Sequence, residues 1–221
     1  MNKQTGFTLI ELAIVLVIIG LLLGGVLRGQ ELINSAKVKS LAADFRNIPV
    51  YIYGYQDKYR AFPGDDLNAT THTGVSTAVN GNGNGALGGT WQDTATTSEA
   101  YTFWQHVRLA SLATGATTGT GDWRPTNADG GPIGIQAGTN VATLSPIITA
   151  GGAIRGSYII CTQGVLGKYV RQLDTQMDDG NTATGSMLAT TFTSPAYAIG
   201  ATAVATTAIV DSESYVVCFG V

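Results

Sequence analysis

The chain has 221 residues, of which 12 are basic and 15 acidic, so 12% are charged where a soluble domain carries about 25%; 29 Gly and 29 Thr stand in their place. The 44% apolar content excludes intrinsic disorder, and a net charge of −3 excludes nucleic-acid binding driven by overall charge, though not a local basic patch. Two cysteines are too few for a disulfide-dense miniature fold or a four-thiolate zinc centre, and the length suits one sizeable domain with an appendage.

The appendage comes first. Residues 7–27, FTLIELAIVLVIIGLLLGGVL, carry one charge, Glu11. As a helix this run spans roughly 31 Å at 1.5 Å per residue, about one hydrocarbon core. A signal-peptide core is shorter, about 7–15 residues, and leads into a small-residue cleavage site. Here the run leads into Arg28-Gly29-Gln30-Glu31, which reads as a membrane anchor. Lys3 lies before the run, and Arg28, Lys37 and Lys39 follow it, so the positive-inside rule does not set its orientation.

Glu11 is the anomaly. A carboxylate within bilayer costs roughly 2.5–3.5 kcal/mol on insertion scales and is functional by default. A cut between Gly6 and Phe7 creates an α-ammonium four residues away. The first turn of the helix itself favours a negative side chain. In an assembly, a neighbour's ammonium meeting Glu11 neutralises both charges and sets axial register.

Met1-Asn2-Lys3-Gln4-Thr5-Gly6 followed by Phe7-Thr8-Leu9-Ile10-Glu11-Leu12 resembles the leader and cleavage site of type IV pilins and type II secretion pseudopilins. The likeness rests on a short basic leader, Gly then Phe, and Glu at the fifth mature position. It implies that a prepilin peptidase cuts after Gly6 and methylates the Phe7 amine. It also implies a subunit that waits in the inner membrane, head outside the cytoplasm, before joining a periplasmic or extracellular filament. Its partners are then copies of itself, other pilin-like subunits, and an inner-membrane assembly platform with an ATPase.

Beyond Leu27, Leu41, Phe45, Ile48, Ile52, Tyr55 and Tyr59 fall at spacings of 4, 3, 4, 3 and 4, the stripe of an amphipathic helix. The pattern predicts one long helix over 7–59, bent at Pro49 and weakened at Gly54, its outer half docked on the head. Many pilins carry a proline near the end of the apolar segment, where the helix melts on assembly. This chain has none before Pro49, so Gly20, Gly24 and Gly25 supply that flexibility or the helix stays intact. Ala61-Phe62-Pro63-Gly64-Asp65-Asp66 is the stop signal. The stretch from Tyr55 to Asp66, and the run Phe103-Trp104-Gln105-His106-Val107-Arg108-Leu109-Ala110, also resemble pilin-like proteins.

Residues 61–221 hold 11 acidic and 5 basic side chains, a local charge of −6. Residues 68–98, rich in Gly, Asn and Thr, read as a long loop. A helix over 99–113 follows, with Ser98 as N-cap. Strands are expected at 156–162 and 215–221, with weaker ones at 132–136 and 197–202, and a short helix at 168–177. The expected fold is α+β, a long, kinked N-terminal helix packed on a small antiparallel sheet. The segments are a leader (1–6), a transmembrane or filament-core helix (7–27), an amphipathic outer half (28–60) and a head (61–221). Cys161 and Cys218 each sit in an expected strand. Either they pair, closing a loop worth roughly 4 kcal/mol and placing the head in an oxidising compartment, or they are two buried thiols.

Gly83-Asn84-Gly85-Ala86-Leu87-Gly88 matches G-x-G-x-x-G, but it lacks the flanking strand and helix of a dinucleotide site and reads as a loop. His72 and His106 show no metal or nucleophile spacing, and no hydrolase or metalloprotease motif is present, so no catalytic residue is assigned. Asp174, Asp178, Asp179 and Asn181 form the densest set of oxygen ligands. Calcium favours such groups, and some secretion pseudopilins, by resemblance, bind it in a loop. The EF-hand pattern fails, however, and helix termination explains Asp178-Asp179-Gly180 adequately, so no cofactor is required. The sequence therefore reads as a non-enzymatic filament subunit. The competing reading is a membrane-anchored periplasmic enzyme or binding protein that keeps residues 1–6 and does not polymerise.

Overall fold

The computed structural model describes residues 8–118, 121–192 and 197–221. The chain divides into two compact units, Met1–Lys37 and Val38–Val221. Helix α1, Leu9–Tyr59, runs without interruption through Pro49.

Within the second unit, α1 buries Val38, Leu41, Ala42, Phe45, Ile48, Ile52 and Tyr55. This is the stripe expected from the spacing, extended one turn towards the N-terminus. Tyr59 is only partly buried, because the helix ends there and Arg60 takes a positive φ of 55°. The stripe packs with α3 (Glu99–Leu109), α4 (Gly167–Met177) and one face of a four-stranded antiparallel sheet. That sheet has the order β1 (Ile133–Ala137), β4 (Tyr158–Leu166), β7 (Ser214–Gly220), β5 (Met187–Thr191).

The central strands read as continuous apolar runs because both faces of the sheet are covered. Ile160, Val165, Met187, Ala189, Tyr215 and Val217 face the helices, and Phe45 meets Phe219 edge-on at 6.0 Å. The alternate residues Ile159, Cys161, Leu188, Val216 and Cys218 join Trp91, Ile147 and Ile154 in a second core. Ile147 belongs to a small sheet of order β3 (Gly152–Ala153), β2 (Ile147–Thr149), β6 (Ala201–Thr202), in which β2 and β6 run parallel. A register shift between Thr162 and Val165 contains Gly164 at φ +77°, as a bulge with a left-handed glycine requires.

Two expectations change here. The third helix ends at Leu109 rather than 113, with Ser111 at φ +62°; Ser98 is its N-cap residue as expected, but the side chain makes no capping bond, its hydroxyl donating instead to Asp93 Oδ2 at 2.7 Å. The fourth expected strand shrinks to Ala201–Thr202, while β2, β3 and β5 were not anticipated.

The 61–98 segment is irregular apart from α2 (Ala69–Thr73). Three buried carboxylates and a histidine hold it. Asp65 accepts from the Asn84 and Gly85 N–H groups, and Glu99 from those of Asn82 and Gly88. Asp66 accepts from the Tyr55 hydroxyl, the Asn68 N–H and His72 Nδ1. His106, fully buried, accepts from the Gly64 N–H and donates through Nε2 to the Val79 carbonyl. Burial pushes its imidazole below the usual range, and the neutral ring suits one accepting and one donating nitrogen. The G-x-G-x-x-G segment lies on this loop, as expected, with neither a strand nor a helix beside it.

Candidate functional site

The first unit is built around an apolar surface. Every residue from Thr8 to Arg28 is exposed, including Leu9 (87%), Leu21 (73%) and Leu16 (69%). A helix apolar on all sides is a membrane span or the core of a larger assembly. This one is long and apolar enough to cross a membrane, and none of its most apolar 18-residue window is buried. It ends in water-facing chemistry, where Arg28 pairs with Glu31 at 3.1 Å, both largely exposed.

Glu11 stands at the other end, in the first turn of α1. Its Oε2 accepts from the Thr8 N–H and from the Thr8 hydroxyl, each at 2.8 Å. The Glu11 N–H donates back to Thr8 Oγ1 at 3.3 Å. This is a reciprocal capping box, which satisfies donors that a helix start leaves unpaired. The Thr8-x-x-Glu11 spacing carries that signal, and reading Glu11 only as a buried charge misses Thr8. Both hydrogen bonds use one carboxylate oxygen, and among the described residues none donates to Oε1. Gly6 and Phe7, on which the cleavage and methylation were placed, lie outside the described residues.

In the head, Cys161 and Cys218 face each other in the β4–β7 register and form a disulfide, fully buried in the second core. Of the two readings of these cysteines, the pairing is the one adopted.

The acidic set converges in part. Ligand oxygens of Asp174, Asp178 and Asp179 all lie within 4.8 Å of one another. Asp174 is fully buried, and the Gly180 backbone N–H donates to its carboxyl only in loose geometry. Burial, then the charges of Asp179 and Asp178, push its carboxyl up to about 7. Asn181 serves its own turn, its Oδ1 accepting from the Ala183 N–H at 3.3 Å. Elsewhere Asp44, on α1, is pushed up to about 6 by burial; nothing in its spacing singled it out.

Residues 1–27 match the family model described as the prokaryotic N-terminal methylation motif. Comparison with curated proteins and with solved structures finds no match. The motif, the membrane-length apolar helix and the lone charge at Glu11 fall on the same short segment, and the chain therefore carries the signature that is the hallmark of type IV pilins and pseudopilins.

Proposed function

We propose that the chain is a structural subunit of a type IV pilus or a type II secretion pseudopilus. A prepilin peptidase cuts it between Gly6 and Phe7 and methylates the Phe7 amine. The first part of α1 then serves in turn as inner-membrane anchor and as filament core, with the head outside the cytoplasm. The observation that carries this reading is the methylation motif over residues 1–27, of which residues 9–27 lie on a stretch of α1 that is exposed throughout.

Glu11 supports the same reading. Its Oε2 is held by Thr8, which orients the carboxylate and leaves Oε1 for the terminal ammonium of a neighbouring subunit. Charge pairing in a low-dielectric bundle sets register more strongly than apolar packing does. Because lipid is as apolar as the helices, leaving the bilayer gains little by the hydrophobic effect, so assembly calls for a platform with an ATPase. The disulfide is consistent with a head in an oxidising compartment.

Intact mass spectrometry of membrane and sheared-filament fractions tests the proposal. The expected species begins at methylated Phe7 and is present in the sheared fraction. Glu11→Ala should still be processed but should leave the sheared fraction nearly empty. A chain that retains residues 1–6 and stays monomeric would overturn the assignment.

A further inference from the structure

Residues 80–85 read Asn-Gly-Asn-Gly-Asn-Gly, three copies of the dipeptide most prone to lose ammonia. The reaction needs no enzyme. The glycine N–H gives its proton to solvent base, and the nitrogen attacks Cγ of the preceding asparagine. An N–Cγ bond forms and the Cγ–Nδ2 bond breaks, releasing ammonia. Water then opens the cyclic imide at one carbonyl or the other, leaving aspartate or isoaspartate. Asn80, Asn82 and Asn84 are all exposed, so water reaches each of them.

The fold gives both residue types of the repeat a task. A Cβ at Gly81 would collide with the Asp65 backbone. Gly83 and Gly85 have φ of +70° and +84°, the left-handed region that favours glycine. Asn80 Oδ1 accepts from the Thr70 N–H at 3.0 Å, Asn82 Oδ1 from the Asn84 N–H at 3.0 Å, and Asn84 Oδ1 from the Ala86 N–H at 2.9 Å. Local bonds of this kind are what asparagine offers a turn. The labile sequence is therefore built into the loop.

Every glycine nitrogen of the repeat is also held. The Gly81 N–H donates to the Asp66 carbonyl at 2.8 Å and the Gly83 N–H to the Asp65 carbonyl at 3.0 Å. The Gly85 N–H donates to Asp65 Oδ2 at 2.8 Å, and the Asn84 N–H to Asp65 Oδ1 at 3.0 Å. Asp65 and Asp66 are buried, so a proton shared with them is withheld from solvent base. Because the peptide unit is planar, each nitrogen reaches Cγ only by turning the asparagine ψ, which breaks the same hydrogen bond. Imide formation thus requires the loop to open, and its rate follows the open fraction.

We propose that residues 80–85 are a guarded deamidation site, in which Asn80, Asn82 and Asn84 keep their amides only while the loop is closed on Asp65 and Asp66. The guards differ. Main-chain oxygens hold Gly81 and Gly83, whereas a side chain holds Gly85, so a change at Asp65 unlocks Asn84. Conversion does not reverse. Isoaspartate adds a backbone methylene, which puts the alternate N–H groups out of step with their acceptors. Either product also adds a negative charge to a residue bonded to the Asp65 carboxylate, where like charges repel. This site is independent of the filament reading and stands or falls separately.

The test incubates the full-length protein in detergent micelles, in mildly alkaline buffer, either folded or unfolded in urea. Peptide mass spectrometry then reads aspartate and isoaspartate at positions 80, 82 and 84. The folded wild type should convert about tenfold or more slowly than the unfolded chain at each position, a factor set by the opening equilibrium. Asp65→Ala should speed conversion at Asn84 by about tenfold and leave Asn80 and Asn82 near the wild-type rate. Asp65→Asn, which keeps the shape and one acceptor oxygen, should give a smaller rise at the same position; if Asp65→Ala does not fold, the comparison is read from this variant. Equal rates in folded and unfolded wild type overturn the proposal. So does a folded Asp65 variant in which Asn84 converts no faster than in wild type, or in which all three positions rise together.

Discussion

Single carboxylates account for much of the chemistry in this chain, and their surroundings set them to different tasks. Glu11 closes a capping box, whereas Asp65, Asp66 and Glu99 act as acceptors that pin a polar loop to the end of α1 and the start of α3. Asp44 does neither, and burial raises it to about 6. A carboxyl whose folded value lies above its unfolded value binds more protons when folded. Its cost is therefore absent below about pH 4 and complete above about pH 6. Asp44→Asn should stabilise the protein by on the order of 1 kcal/mol or more at pH 8 and by nothing at pH 4. Denaturant titrations of both proteins at the two pH values would show it, and a pH-independent difference would contradict the assignment. His106 acts in the opposite sense. Its folded value is lowered by burial, so stability is lost as pH falls below about 6.5 towards that value.

Among the elements, β4 and β7 form the centre of the head. Both are buried on each face and they are joined by the Cys161–Cys218 bond, 57 residues apart in sequence. Closing a loop of that size constrains the unfolded chain by about 4 kcal/mol in the chain-entropy model. Replacing both cysteines by alanine should lower the free energy of unfolding by about that amount, measured by urea titration of the full-length protein in detergent. A loss under 1 kcal/mol would mean that the strand pairing holds unaided. The α1 helix divides its labour along its length. Its later turns supply Leu41, Phe45, Ile48 and Ile52 to the head's own core, while its earlier turns bury nothing within this chain.

At the scale of the whole molecule, that division gives the two compact units, Met1–Lys37 and Val38–Val221. The exposed apolar surface is confined mainly to the first, and patches far smaller than this already mark interaction or membrane surfaces. A chain beginning at Gly29 should therefore be soluble without detergent, monomeric by sedimentation velocity, and cooperative in its unfolding. A chain beginning after Ile52 should not fold, because it lacks the stripe around which the head is packed. Aggregation of the first would place apolar association in the head as well.

The N-terminal segment was legible from sequence alone because its information is local. A basic residue at Lys3, a Gly-Phe pair, a run of apolar residues and one acid four positions on need no tertiary contact to be matched to a methylation motif, and the Thr8-x-x-Glu11 cap has the same local character. Helical spacing likewise marked Leu41 to Tyr55, and β-branched runs marked β4 and β7. Local pattern failed at β2, β3 and β5, which are short and make sense only through the strands they pair with. It failed again for Asp66, His72 and Tyr55, which are brought together by the turn after α1, and for Asp174, whose burial depends on what packs over the end of α4. Which apolar surface the head covers, and which polar groups it leaves without partners, are properties of packing between distant segments. Only the tertiary structure decided them.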